Sequence, residues 1–382
     1  MDKVNPFKPG MGRMPPHLAG RDAEQSMFAL NLEAMYKEGV GNTVVMYGPR
    51  GMGKTVLLNW LKAESDKRGI TAKIAAPSTG MKSVDDLAQW ILPPDWLPSS
   101  TSVGVEGLLH LKWDNPSASK RAGLVEHLID ACQQQPHALL LDEAHRYPPD
   151  ACADLLNVCQ QVSVAAPFFA VLAGTPGLEP FLREVGATFV ERVEKIGVGP
   201  LDKDAAAGAI SVPLQEDGIS IQEEALAHVV QDAQRYPFFL QLWGTALWAH
   251  AMDRQAKELA QADVDAVTIG IQEKRVDFYE SRYEALMDNT ELLIAANGVA
   301  DAFKSVQSLD RSEIGRTIAD SLGSILPDQP SRAAKARELS KELNRIDFIW
   351  RPPNSTKMVP GIPSFMTYVQ TRFTEQSRLN SH

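Results

Sequence analysis

The most legible chemistry in the chain lies in Gly48-Pro49-Arg50-Gly51-Met52-Gly53-Lys54-Thr55. These residues fit the pattern GxxxxGK[ST]. They sit between an apolar run, Thr43 to Tyr47, that reads as a strand, and an amphipathic run, Lys54 to Arg68, that reads as a helix. Glycines let the backbone wrap closely round a phosphate, so that successive N–H groups and the helix N-terminus face its negative charge. In this reading Gly48 to Val56 cradle a nucleotide, Lys54 reaches its β and γ phosphates, and the Thr55 hydroxyl is offered to Mg2+.

Further along, Ala138-Leu139-Leu140-Leu141-Asp142-Glu143-Ala144-His145 brings two carboxylates to the end of an apolar strand. Open α/β sheets bind ligands at that edge. A buried acidic pair without a cation is costly, which favours a metal role over a helix-cap role. Asp142 is expected to hold Mg2+, directly or through water, and Glu143 to act as general base on the attacking water. The carboxylate is expected to face the loop from the adjacent strand. Asp-Glu-Ala-His also occurs in DEAH-type helicases, but those need a second α/β half, and none is legible after Pro200. His145 then reads as a hydrogen-bonding residue near the site. The two motifs together fit ATP or GTP; no guanine-selective Asn-Lys-x-Asp motif appears, and ATP is the nucleotide expected.

Alternating elements must position these groups. Near-continuous apolar runs predict strands at Thr43–Tyr47, Ala72–Ala76, Ala138–Leu141, Phe168–Ala173 and Lys195–Val198, as expected of a parallel sheet covered on both faces. Amphipathic stretches predict helices at Lys54–Arg68, Ser83–Ile91, Lys120–Gln134, Asp150–Val162 and Gly177–Glu184. The Pro, Ser and Gly-rich stretch from Leu92 to Ser119 predicts a loop excursion. Beyond Pro200 helical periodicity takes over, at about Asp204–Val212, Gln222–Gln234, Pro237–Met252 and Ala262–Tyr279. Three helices follow, Glu291–Ala302, Arg311–Leu322 and Arg332–Arg345, then a short hairpin around Pro352-Pro353-Asn354-Ser355 and a last helix from Ser364. The expectation is an α/β P-loop NTPase core with a parallel sheet (residues 1–200), an all-α helical lid (201–282) and a winged helix-turn-helix (283–382).

With both nucleotide motifs in place, the chain resembles the AAA+ superfamily, in the branch joining initiator-type ATPases to STAND signalling ATPases. The resemblance implies roles for further residues. Leu18-Ala19-Gly20-Arg21 is similar to the segment that packs on adenine, which brings Arg21 to the nucleotide. Thr175, after the run Phe168 to Gly174, resembles the polar sensor of the γ-phosphate. Glu191-Arg192-Val193 resembles the region whose arginine finger enters a neighbouring subunit's site, with Arg192 first and Arg183 second; the implied assembly is a homo-oligomer. Arg235-Tyr236-Pro237 falls where STAND members carry Gly-x-Pro, placing Pro237 at the nucleotide and Arg235 in the glycine slot.

The output is open between two classes. Net charge is −10, so the molecule as a whole repels phosphate backbones. From Ser331 to the end, nine basic residues stand against four acidic ones, a local +5, leaving −15 for the remainder. Arg337, Lys341 and Arg345 recur at i, i+4 and i+8, opposite the apolar face of Ala336, Leu339 and Leu343, with Arg351 and Lys357 on the wing. A basic stripe on a third helix can read duplex DNA. The alternative is a STAND-like regulatory ATPase whose winged helix makes protein contacts or autoinhibits without DNA. Three cysteines without a CxxC pair argue against a disulfide framework or cysteine zinc site and for a reducing cytoplasm. Met1 to Gly10 has two prolines and no apolar leader core, and no run approaches the roughly 18 residues that span a bilayer, so no membrane role is expected.

Overall fold

The structure, a computed structural model, describes residues 3–10, 12–78, 81–92, 101–103, 109–111 and 118–379. The first unit runs α1 (Asp22–Glu38), β1 (Thr43–Tyr47), α2 (Lys54–Lys67), β2 (Thr71–Ala75), α3 (Val84–Ile91), β3 (Thr101–Val103), β4 (Leu109–Leu111), α4 (Ala118–Gln134), β5 (His137–Leu141), α5 (Pro149–Ser163), β6 (Phe168–Gly174), α6 (Leu178–Glu184) and β7 (Glu194–Gly197).

Five of these strands form a parallel sheet in the order β2-β5-β6-β1-β7. Every residue of β1, β5 and β6 is buried. Alternate side chains go to opposite layers, as the two-residue period requires. Val44, Met46, Leu140, Phe169 and Val171 pack with α1, α2 and the helical unit, while Val45, Leu139, Leu141, Phe168 and Leu172 pack with α3, α4 and α5. Each fully buried Val, Leu or Phe contributes about 1.5–3 kcal/mol, so two-sided burial is what holds these strands inside the molecule.

Three sequence expectations are corrected. The acidic strand β5 is not adjacent to the P-loop strand β1; β6 lies between them. The excursion after Leu92 is not all loop, because β3 and β4 pair antiparallel within it and its last two residues already belong to α4; residues 93–100, 104–108 and 112–117 lie outside the described residues. Helix α1 was not anticipated. It buries Phe28, Leu32 and Met35 but exposes Leu30 and Tyr36, which blurs the apolar period in sequence.

The helical unit contains α7 (Lys203–Glu216), β8 (Ser220–Ile221), α8 (Glu223–Asp232), α9 (Pro237–Arg254), β9 (Glu258–Leu259) and α10 (Gln261–Met287). Helix α10 runs unbroken through residues 282 and 283, past the expected end at Tyr279, because Tyr279 and Tyr283 pack on Tyr368 of the last helix. Then come α11 (Thr290–Ala302), β10 (Leu309–Asp310), α12 (Arg311–Ser321), α13 (Gln329–Arg345), β11 (Ile349–Trp350), β12 (Lys357–Pro360) and α14 (Pro363–Leu379). Strands β10, β12 and β11 form a three-stranded antiparallel sheet beside α11 to α13, the layout of a winged helix-turn-helix. Among the described residues there is one five-stranded parallel sheet and no second α/β half. No described helix is long and apolar enough to cross a membrane. The three cysteines are buried and unpaired with one another.

Candidate functional site

Strand β1 delivers the glycine loop, and α2 begins at Lys54. Gly53 caps the helix with φ 93°, in the left-handed region that only glycine enters cheaply. Gly51 (φ 87°) is constrained a second way, since a Cβ there would come within 2.6 Å of the Tyr236 ring from the helical unit. The loop is thus shaped by its own torsions and by a neighbour that leaves no room for a side chain.

The Lys54 ammonium is 5% exposed and donates to the carbonyls of Gly48 (2.7 Å) and Pro49 (2.9 Å). Burial lowers its pKa, while Asp347, Glu143 and Asp142 pull the other way. The Thr55 hydroxyl donates to Asp142 Oδ2 at 2.7 Å, so the loop and the end of β5 meet directly although β6 separates their strands. Asp142 Oδ1 accepts the Glu143 N–H at 2.9 Å. Glu143 takes a left-handed backbone (φ 50°), a conformation unusual outside glycine that turns the chain sharply after β5.

His145 joins the two acidic and sensor positions. Its Nδ1 accepts the Thr175 N–H at 3.4 Å, which leaves Nε2 as the protonated nitrogen, 3.6 Å from Glu143 Oε2. Burial, reinforced by Arg50 and Lys54, lowers its pKa to about 4, so the ring is neutral at pH 7. Thr175 is fully buried, and its hydroxyl has no partner among the described residues.

A cleft of about 490 Å3 opens over the loop, within the size range of small-molecule sites. Its wall brings together Arg21, Arg50 to Val56, Asp142, Glu143 and Pro237. Gly48, Pro49, Thr175 and Arg192 do not line it. Arg21 is buried and donates to the carbonyls of Met52 (2.9 Å) and Gly199 (2.7 Å), clamping the P-loop backbone to the exit of β7. Pro237 opens α9. Arg235 is exposed and away from the cleft, with φ 58°. The glycine slot of the resemblance is therefore a left-handed position, and here an arginine occupies it. Arg183 is held by Glu179 (3.1 Å) and Glu191 (2.8 Å), whereas Arg192 is exposed and in no ion pair among the described residues.

Sequence reasoning missed the other wall. The segment before α1 crosses from the helical unit to the loop: Lys8 N–H donates to Gln241 Oε1 (2.8 Å), Phe7 packs on Gly244, and the Gly12 carbonyl accepts from Asn59 Nδ2 (2.9 Å). With Leu18, Leu201, Leu240, Phe238 and Phe278 it gives the cleft an apolar end opposite the charged one. Residues so far apart carry no spacing signal.

The donors at the charged end are hard oxygens, a hydroxyl and a carboxylate in contact. That matches Mg2+, which is usually bound by one or two protein oxygens with phosphates and water completing its shell. No cluster of three or more His, Cys, Asp or Glu suited to a metal occurs among the described residues. All five cations of the predicted DNA face, Arg337, Lys341, Arg345, Arg351 and Lys357, are exposed. Arg345 pairs with Glu342, and Arg351 lies 3.9 Å from Glu179.

Residues 39–182 match a family model described as "AAA domain". Comparison with curated proteins finds no match. Among solved structures the chain is similar to the ORC2 protein of Aeropyrum pernix in its ADPNP–ADP complexes, with TM-score 0.56, 15% identity, and coverage of 97% of this chain and 99% of that one. It is also similar to a Walker-type ATPase, paby2304, of Pyrococcus abyssi, with TM-score 0.56, 14% identity, and coverage of 92% and 95%. At these identities the likeness is one of fold, and it extends over the α/β core, the helical unit and the C-terminal module together.

Proposed function

We propose that the chain is a magnesium-dependent ATPase that works as a nucleotide-driven switch. The observation that carries this is the contact of the Thr55 hydroxyl with Asp142 at 2.7 Å, beside a buried Lys54. It joins a phosphate cradle to a metal-competent carboxylate. That the similar Aeropyrum pernix protein is described with ADPNP and ADP supports a nucleotide in this cleft.

In this reading Arg50 to Val56 wrap the phosphates, with Gly48 and Pro49 holding Lys54 from behind, Arg21 holds the loop in shape, Pro237 and the apolar end take the base, and Thr55 and Asp142 hold Mg2+. The ion, when bound, neutralises charge on the phosphates. Glu143 accepts a proton from the attacking water, with its carboxylate beside neutral His145. Thr175, whose hydroxyl has no partner among the described residues, senses the terminal phosphate. Arg192, exposed on the far side of the α/β unit, reaches a second copy of the chain in a homo-oligomer. The working units are a core (1–200), a lid (201–282) and a winged-helix output (283–382). Binding of Mg-ATP to the purified chain, with hydrolysis lost in Glu143→Gln, tests the reading. A chain that binds no magnesium nucleoside triphosphate sinks it.

The output we favour is duplex DNA, contacted by Arg337, Lys341 and Lys357, which are exposed and in no ion pair among the described residues, with Arg345 and Arg351 at the edge. A salt-sensitive DNA shift that disappears in Arg337→Glu/Lys341→Glu is expected; no shift at low salt in any nucleotide state rejects it. One observation favours the second reading, a regulatory protein contact. The Arg345 and Arg351 end of the stripe lies against the α/β unit, near Gly177 and Glu179. In that case partner capture or oligomerisation survives the charge reversal.

A further inference from the structure

The C-terminal module is seated on the P-loop. Helix α13 ends against the α/β unit, where Asn344 Nδ2 donates to the Pro176 carbonyl at 3.4 Å and the Arg345 backbone abuts Gly177. Trp350 of β11 is buried against Gly199, and the Pro353 ring lies on Gly197. Between these contacts the chain turns through Asp347, with φ 66°. Its N–H donates to the Asn344 carbonyl and the Phe348 N–H to the Leu343 carbonyl, a helix end that normally takes glycine or asparagine. An aspartate in that left-handed position costs free energy relative to either.

What the aspartate does there is face the phosphate loop. It is 5% exposed, its Oδ2 accepts the Arg50 N–H at 3.3 Å and lies 3.9 Å from Arg50 Nε, and its Oδ1 is buried without a partner among the described residues. The charged groups acting on it are Lys54 and Arg50 from the loop and Arg282 from α10. Of the carboxylates acting on Lys54, Asp347 ranks ahead of Glu143 and Asp142. The Tyr236 hydroxyl, beside Gly51 at the same junction, is also buried and has no partner among the described residues. An amide and cations of a loop shaped for phosphate are thus engaged by a carboxylate from the far end of the chain.

We infer that Asp347 is an internal anionic ligand of the phosphate-binding loop, so that seating of the C-terminal module and seating of a nucleoside triphosphate compete. This rests on the nucleotide reading of the cleft and adds its regulation. The triphosphate brings several negative charges to a buried region that already holds one, and like charges repel strongly where water is excluded. Binding therefore drives Asp347 off the loop and takes with it the end of α13 and strand β11, which are fixed to it by short backbone turns.

Two variants of the full chain test this by titration with Mg-ATP and Mg-ADP. Asp347→Asn keeps the shape and removes the charge; Mg-ATP affinity rises about tenfold, with a smaller gain for Mg-ADP, which carries less charge. In Gly177→Cys/Arg345→Cys the module is locked in place, because a Cβ at Gly177 lies 3.6 Å from the Arg345 Cβ, inside the range a disulfide spans. The oxidised form binds Mg-ATP about tenfold more weakly than the reduced form, and dithiothreitol restores it. Equal affinity in the oxidised and reduced forms, with the crosslink verified, overturns the competition even if Asp347→Asn does not fold. Unchanged or weaker binding in folded Asp347→Asn overturns the role of the carboxylate. If no form binds nucleotide at all, it is the reading of the cleft that fails.

Discussion

Two regions touch the P-loop, and they are built on opposite principles. On one side Lys54 and Thr55 open α2 just after β1 and Asp142 follows β5, two strands buried on both faces; Lys54 donates to the Gly48 and Pro49 carbonyls and Thr55 to Asp142, at 2.7–2.9 Å. On the other side Asp347 comes from a turn in the C-terminal module, with one carboxylate oxygen accepting a 3.3 Å hydrogen bond and the other without a partner among the described residues. The first is a satisfied arrangement; the second is a buried carboxylate beside cations with an incomplete set of hydrogen bonds. A site that must hold its ligand the same way each cycle belongs on the sheet, and a contact that must be broken belongs on a movable module with an incomplete set of bonds.

The largest effect that sharpens this contrast is expected on the rigid side. Lys54→Ala removes the buried cation and weakens Mg-ATP binding by about a thousandfold, roughly 4 kcal/mol, measured by calorimetry or a fluorescent analogue. A loss below tenfold means the lysine is not at the phosphates. Glu143→Gln, by contrast, retains nucleotide and loses turnover by about a hundredfold or more in a phosphate-release assay; equal turnover removes Glu143 from the role of base.

Smaller effects separate the two sides by pH. The buried Asp347 carboxyl is pushed up to about 6, above its ordinary 3.8. The folded state then binds its proton more readily than the unfolded state, so burying the charge costs stability above pH 6, and acidification relieves the cost. His145 is lowered from 6.5 to about 4, so its contribution is intact above pH 6.5 and is lost as pH falls from there towards 4. Each shift corresponds to at most about 3 kcal/mol, and the two oppose each other over nearly the same window. Thermal melts between pH 7 and 5 are expected to show Asp347→Asn losing more stability than the parent on acidification, and His145→Gln losing less. The same slope in all three proteins means these two groups do not set the pH response. The smallest effect lies at the output: the single neutral change Lys341→Gln should reduce the salt dependence of DNA binding by about one in the slope of log K against log salt, for one lost phosphate contact.

The sequence carried some elements and concealed others for definable reasons. The glycine loop was legible because a phosphate cradle is made of contiguous residues, flanked by a strand and a helix that announce themselves by period. The carboxylates of Asp142 and Glu143 were legible because they end an uninterrupted apolar run. The neighbour relation of their strands was not, since period says which faces are buried and nothing about order in a sheet; β6 intervenes. Helix α1 was lost because Leu30 and Tyr36 point outward among buried neighbours. The strap of Lys8 and Gly12 over the cleft left no trace in spacing, because its partners Gln241 and Asn59 lie far away along the chain.

By itself, then, the sequence determined the chemistry that neighbours in the chain can build: a loop of amides, a lysine, a hydroxyl at the start of a helix, and an acidic pair at a strand end. Only the tertiary structure decided that Thr55 meets Asp142, that His145 bridges Thr175 and Glu143, and that Asp347 rests on the Arg50 amide 297 positions earlier in the chain. Local patterns encode local hydrogen bonding and burial, whereas long-range pairing of charges depends on how whole layers pack, and that information is spread over every residue of the core.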